Sequence, residues 1–283
     1  ALDANTTGTA NNGFGHDALG VNTEGNDNVA AGYQALAANT TGDSNTALGH
    51  KALLSNTTAD YNTAVGRYSM GVNTTGTKNT AIGPFAMDAN TTGNNNVAVG
   101  YAALTDASAY ENTAVGSGAL GQTTGSNNTA IGFEAGNTIG SGTNNTCIGY
   151  GALPSSGTAA NVITFGNSSI TNLRCQVQTI GSLSDRRDKT NIIDLADGLD
   201  IINLLKPKKF TWAMREPSAN NGRTEIGFVA QDIDAVLGDK NDYIHAVSKD
   251  NPDKLEAAYG RFIPIMVKAI QELSTKITAL EAK

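Results

Sequence analysis

At 283 residues the chain has room for two domains, yet 39% hydrophobic with only 6% aromatic side chains is too lean for two ordinary globular cores. A net charge of -7 and a pI near 4.9 exclude a phosphate-binding surface, which needs clustered Lys and Arg, so no nucleic-acid partner is expected. No apolar run reaches the ~18 residues of a membrane span and no charged-then-apolar leader opens the chain, so no membrane insertion is expected either.

Charge divides the chain unevenly: residues 1–176 hold 4 Lys+Arg and 10 Asp+Glu, against 15 and 16 in the remainder. The lean part is periodic. Gly15, Gly32, Gly49, Gly66, Gly83 and Gly100 recur every 17 residues, and Gly116, Gly132 and Gly149 follow at 16, 16 and 17. A fixed period of this size means stacked structural units. The opening ALDANTTGTA already lies in register, so the array is expected to begin inside a longer protein.

Columns run through the units. Four residues before each glycine stands Asn11, Asn28, Asn45, Asn62, Asn79, Asn96, Asn112, Asn128 or Asn145, and two before it a small residue, from Gly13 and Ala30 to Ala130 and Cys147. Directly before the glycine comes Phe14, Ala31, Leu48, Val65, Ile82, Val99, Val115, Ile131 or Ile148. Neighbouring strand positions face opposite ways, so the Asn and small columns share one face, the apolar column takes the other, and both faces are expected to be covered.

A second apolar pair follows each glycine, as in Ala18-Leu19 and Ala35-Leu36, with Ala135-Gly136 as the exception. NTTG-like segments join the pairs, with glycines at Gly8, Gly25, Gly42, Gly76, Gly93, Gly125 and Gly142 expected to supply positive φ at corners. The fold class that follows is mainly β: a parallel β-solenoid or β-roll of about nine 17-residue repeats over residues 1–153. The NTA[IV]G phrase is similar to the head repeats of trimeric autotransporter adhesins, which have a shorter period.

The position after each main glycine holds His16, Tyr33, His50, Arg67, Pro84, Tyr101, Ser117, Phe133 and Tyr150. Exposed aromatics there suit a sugar-binding surface, and ladder packing at a corner explains them equally. The histidines are not spaced as a metal site, and no metal or cofactor is expected. The Asn-x-Thr triplets belong to the repeat phrase rather than to glycosylation. Cys147 and Cys175 make neither a disulfide framework nor a zinc site, and both are expected as buried free thiols.

Residues 154–183 alternate polar and apolar side chains and read as neck strands. Residues 184–283 have ordinary globular composition: a helix-like ADGLDIINLL, a strand at KKFTWAM, the GFVAQDIDAVL segment, a strand near IHAVS and a helix over 255–283. In that helix Tyr259, Ile263, Met266, Ile270, Leu273, Ile277 and Leu280 form a heptad seam, which predicts a coiled coil of three copies, with docking onto its own domain as the alternative.

Between neck and globular part lies SDRRDKTNI, from Ser184 to Ile192. Spacing alone leaves a solvated linker or a nucleophile near a base, with Arg186 and Arg187 as the charges that would keep Lys189 neutral. Together with FTW at 210–212, GFVAQ at 227–231 and IPIMVKAIQEL at 263–273, this stretch resembles the endosialidase-type intramolecular chaperone at the C-terminus of phage tail fibres and tailspikes. The resemblance implies a small α+β domain that assembles a homotrimer and is then cut off. It implies Ser184 as nucleophile and Lys189 as base, and a scissile bond within Leu183, Ser184 and Asp185. Attack by Ser184 on its own carbonyl would close a four-membered ring; attack on the Leu183 carbonyl closes a five-membered one.

The expected function is thus a virion tail-fibre segment for host recognition, touching a host-surface glycan or protein receptor, with self-cleavage by a serine endopeptidase that acts once. The alternatives are a trimeric adhesin on a bacterial cell surface and a trimerisation cap that is never cut. A polysaccharide hydrolase is disfavoured because no paired carboxylates stand in the repeats.

Overall fold

Three residues make a strand too short to persist alone, so each repeat folds only by pairing with the next. The structure, a computed structural model describing residues 1–106, 108–174, 184–215, 220–251 and 253–283, shows this pairing throughout the array. Ten strands, from β1 (Asn12–Phe14) to β10 (Ile163–Phe165), form one parallel sheet in chain order. Thr46 pairs with Thr63 and Thr63 with Thr80, one repeat apart. The repeat reading stops at 153, but Ile163–Phe165 adds a tenth strand against Thr146–Ile148, inside the stretch read as a neck. The chain divides into two compact units, 1–167 and 168–283.

The main glycines are dictated by geometry. Gly32 has φ +138°, and a Cβ there would stand 2.4 Å from the Gly49 carbonyl oxygen of the next rung. The corner glycines differ from expectation. Gly25 and Gly42 do not have positive φ; they are needed for close approach, since a Cβ on Gly25 would lie 2.5 Å from both Gly42 O and Asn22 Oδ1. Positive φ falls instead on Leu19, Leu36, Leu53, Met70, Met87, Leu104 and Leu120, at 49° to 53°. A left-handed residue costs about 1–2 kcal/mol, and each of these side chains is fully buried, which returns about 1.5–3 kcal/mol. Burial therefore holds the turn. Where Gly136 breaks this column, Ile139 is fully buried, its Cδ1 only 3.1 Å from where a Gly136 Cβ would sit, and so fills the gap.

The interior holds the small and Asn columns. Buried Asn45 gives its backbone N–H to Asn28 Oδ1 at 2.9 Å and its side-chain amide to the Ala59 carbonyl at 2.8 Å. A second ladder links Asn22, Asn39, Asn56, Asn73 and Asn90 amide to amide, for example Asn39 Nδ2 to Asn22 Oδ1 at 2.8 Å. Asn39, Asn56, Asn73 and Asn90 are the asparagines of NTT phrases, and their burial keeps them from any modifying enzyme. Cys147 occupies the small column, and burial pushes its thiol up to about 11. Cys175 lies outside the described residues.

The outer face corrects an expectation. Leu48, Ile82, Val115, Ile131 and Ile148 point outward and are exposed, so the apolar column is uncovered in the single chain. Rung interiors are narrow, and Ala and Asn with one Leu or Met per turn fill them.

In the second unit, α1 (Leu199–Ile202), a hairpin of β11 (Lys208–Thr211) and β12 (Thr224–Gly227), α2 (Ala230–Leu237), α3 (Asn241–Ile244), a second pair of β13 (Val247–Ser248) and β14 (Glu256–Ala257), and α4 (Ile263–Glu281) follow in order. Ile201, Ile233, Leu237, Ile244, Val247, Phe262 and Ile265 form the core. The last helix is shorter than the 255–283 expected, for two physical reasons. Glu256–Ala257 is held as a strand by Val247–Ser248, and Pro264, lacking an N–H, sits in the first turn. The ADGLDIINLL segment likewise yields a single turn, α1.

Candidate functional site

The SDRRDKTNI stretch folds on itself. Asp185 caps a 3-10 turn, Arg186–Asp188, by accepting the Arg187 backbone N–H at 2.8 Å, and Lys189 closes it with its N–H on the Arg186 carbonyl at 3.2 Å. This turn brings the ends together: Lys189 Nζ lies 2.5 Å from Ser184 Oγ and 3.3 Å from the Ser184 carbonyl oxygen. Hydroxyl, amine and the carbonyl of the Ser184–Asp185 bond thus share one locus. Leu183 lies outside the described residues.

The arginines part company. Arg187 grips Asp185 with Nη2 at 2.6 Å and Nε at 3.1 Å, which holds the Asp185 carboxyl below its ordinary range and lifts the guanidinium. Its charge is thereby matched, leaving Arg186 as the unmatched cation of the turn among the described residues. All of these side chains are exposed in the single chain.

The heptad seam is also exposed, from 43% at Met266 to 67% at Leu280. Helix α4 has two faces. Ile265 and Ala269 are buried, and Glu272 Oε2 on the same side accepts the Leu199 N–H at 3.0 Å, capping α1. The helix therefore docks on its own domain and keeps the seam free. Tyr259 differs from the rest: it stands in the 3-10 turn Tyr259–Phe262, and its hydroxyl bonds the Phe228 carbonyl at 2.9 Å.

Two features carry no signal in the sequence. Lys240 bridges Asp197 and Asp200, the latter at 3.1 Å, while Tyr243 donates to Asp197 at 2.6 Å. These partners lie about forty residues apart with no periodicity to link them. A cleft of about 910 Å3 opens between Phe210, Trp212, Phe228 and Tyr259. Among the described residues no metal-ligating group converges, and no helix is long and apolar enough to cross a membrane.

The family model described as chaperone of endosialidase matches residues 184–241, starting on the serine of the Ser–Lys contact. Residues 184–241 are a chaperone-of-endosialidase domain. Uncharacterized protein VP1 of Micromonas pusilla reovirus (isolate Netherlands/2005) is 43% identical over 84 residues. That match spans 28% of this chain and 4% of the viral protein. No solved structure matches. The family match supports an assembly-chaperone role for residues 184–241.

Proposed function

We propose that the chain is a segment of a phage tail fibre that meets the host surface, and that its chaperone domain gathers three copies and is then released by its own serine. The observation that carries this is the 2.5 Å contact between Lys189 Nζ and Ser184 Oγ at the first residue of the domain match. Two uncovered apolar surfaces support the assembly half. The heptad seam of α4 is one, and the outer face of the sheet, which has no charged residue from Asn12 to Phe165, is the other. The trimer buries both.

A lysine accepts a proton only when neutral, and neutrality calls for removal from water. Ser184 and Lys189 are exposed in one chain, so the cut waits for neighbouring copies to cover them. Lys189 then takes the hydroxyl proton as Ser184 Oγ adds to a carbonyl carbon. The C–N bond breaks, the nitrogen leaves with that proton, and water hydrolyses the resulting ester. Attack on the Leu183 carbonyl leaves Ser184 as the new N-terminus; attack between copies on the Ser184 carbonyl leaves Asp185. Loss of the assembler makes the trimer kinetically trapped.

Intact-mass spectrometry and denaturing electrophoresis of wild type beside Ser184→Ala and Lys189→Ala test this. The expected result is a separate C-terminal piece from wild type only, its mass naming the bond. Intact wild type in a stable trimer makes the domain a permanent cap and removes the catalytic assignment.

A further inference from the structure

The corner after each of the nine main glycines, Gly15 to Gly149, carries a ring in all cases but one. His16, Tyr33 and His50 stack at 5.5 and 5.3 Å, His50 meets Tyr68 at 5.4 Å, Tyr68 stacks on Phe85 at 5.9 Å, and Phe85 meets Tyr101 edge to face at 5.9 Å. Where Arg67 and Pro84 replace the first ring position, the next residue supplies the ring. The seventh rung has Ser117 followed by Gly118, with no ring at either place. The stack resumes with Phe133 and Tyr150 at 5.6 Å and 8°.

The gap is in side chains alone. The backbone ladder runs through it, with Gly118 N on Tyr101 O at 3.0 Å and Glu134 N on Ser117 O at 2.9 Å. Tyr101 and Phe133 are therefore two rungs apart, about 10 Å at the spacing of paired strands, where every other adjacent pair of rings is in contact. One flat ring is missing between them. One face of Phe133 is covered by Tyr150 and the other looks into the empty rung; Phe133 is 47% exposed and Tyr101 58%. The Ser117 hydroxyl and the Glu134 carboxylate border the slot, since Glu134 Cγ lies 3.3 Å from where a Gly118 Cβ would be. Neither group has a hydrogen bond or ion pair among the described residues.

We propose that this slot binds one pyranose of a neutral glycan, a reading that rests on the host-surface contact proposed above. Among the described residues this is the one break in the ring series of the nine main corners, and it offers a sugar the uncovered face of Phe133, with Tyr101, set edge to face on Phe85, across the gap. A ring laid on Phe133 needs C–H bonds on the face it presents, and one that also meets Tyr101 needs them on both. A β-linked gluco-configured pyranose meets that need, because its substituents are equatorial and its axial positions hold hydrogen. Mannose, with an axial hydroxyl on one face, does not. Glu134 accepts equatorial hydroxyls at the rim and repels acidic sugars and phosphates.

Saturation-transfer NMR of the full chain with millimolar cellotriose, and with mannotriose as comparison, tests this. Transfer to the ring protons of cellotriose is expected, and Ser117→Phe, which completes the stack without entering the core, cuts it at least tenfold with unchanged circular dichroism. Phe133→Ala, which opens one wall, lowers it too. No transfer to cellotriose, or transfer that survives Ser117→Phe, overturns the slot. On a printed glycan array, binding to some other sugar that is unaffected by Ser117→Phe overturns the slot while leaving the host-surface reading in place.

Discussion

The solenoid and the chaperone unit solve opposite problems. In the solenoid most hydrogen bonds join one rung to the next, as in the Asn28–Asn45–Asn62 series, so each layer stabilises the next in the same way. Stability is then a sum of nearly identical neighbour terms. The weakness is register, because a slip by one repeat restores most contacts. In the chaperone unit the key contacts are unique: Glu272 caps Leu199 from 73 residues away, and Lys240 reaches Asp197 from 43. Such contacts have one solution. The repeat supplies rigidity without an address, and under the proposed function the chaperone unit supplies the address.

The same substitution separates the two most sharply. Gly66 has φ +130°, and a Cβ there would lie 2.6 Å from the Gly83 carbonyl. Gly66→Ala combines left-handed strain with a backbone clash that no flexible side chain can relieve, and is expected to cost about 4 kcal/mol. Gly260, in the turn before α4, has open space around its missing Cβ. Gly260→Ala is expected to be neutral or to stabilise by about 0.5 kcal/mol through the unfolded chain. Urea unfolding of both variants measures the contrast, and a mild effect at Gly66 breaks it.

A smaller effect comes from the Asn columns. Asn62 accepts the Asn79 N–H at 3.0 Å and donates to the Gly76 carbonyl at 2.8 Å. Asn62→Ala leaves the buried Asn79 N–H unpaired, while the Gly76 carbonyl keeps its bond from Asn73 Nδ2 at 3.0 Å, an expected loss of about 2 kcal/mol. Asn241 in the chaperone unit bonds both main-chain groups of Val247, at 2.9 and 3.0 Å, and Asn241→Ala is expected to cost about 2 kcal/mol. The local chemistry is similar; the consequences differ. Hydrogen exchange is expected to show loss of protection spreading to the rungs beside Asn62, where the stack is cut, but confined to the 241–247 turn in the other variant.

These contrasts also explain what could be read in advance. Period, strand positions and the inward alliance of Asn11 to Asn145 with the small column follow from spacing, because a column repeated nine times leaves few alternatives. Which face was inside did not follow. Alternation separates two faces without saying which is buried, and the large apolar side chains of Leu48 and Ile82 suggested a covered face when the narrow rung has room for alanine. The Asn22 to Asn90 ladder was hidden because its members look like turn residues. The Ser184–Lys189 contact was legible as a five-residue spacing, but the capping of its turn by Asp185 was not. The Lys240 bridge had no pattern to betray it, since each partner is one ordinary charged residue among many.

Acid should pull the two units apart by a modest but opposite effect. Bonds from Lys240 and Tyr243 hold Asp197 below the ordinary carboxylate range, and bonds from Lys240 and the Gly198 N–H do the same for Asp200. A carboxyl lowered by folding contributes stability above its unfolded pKa, about 3.9, and loses that contribution as pH falls through the lower folded value. Asp88 in the solenoid is shifted the other way by burial, so its protonation favours the fold and relieves a penalty present at neutral pH. The Asn ladders do not titrate at all in this range. Trp212, the one tryptophan of the chain, reports the chaperone unit alone. Its fluorescence transition is expected below pH 4 while the solenoid's circular dichroism persists. Lys240→Met, which removes the largest cause of both downward shifts, moves the Trp212 midpoint to higher pH and leaves the solenoid signal where it was. If both signals move together, the two units unfold as one and the division of labour between stability and address does not hold. If neither moves, the Lys240 bridge is a surface contact screened by water and the single solution of the chaperone fold rests on its apolar core and on the Glu272 cap.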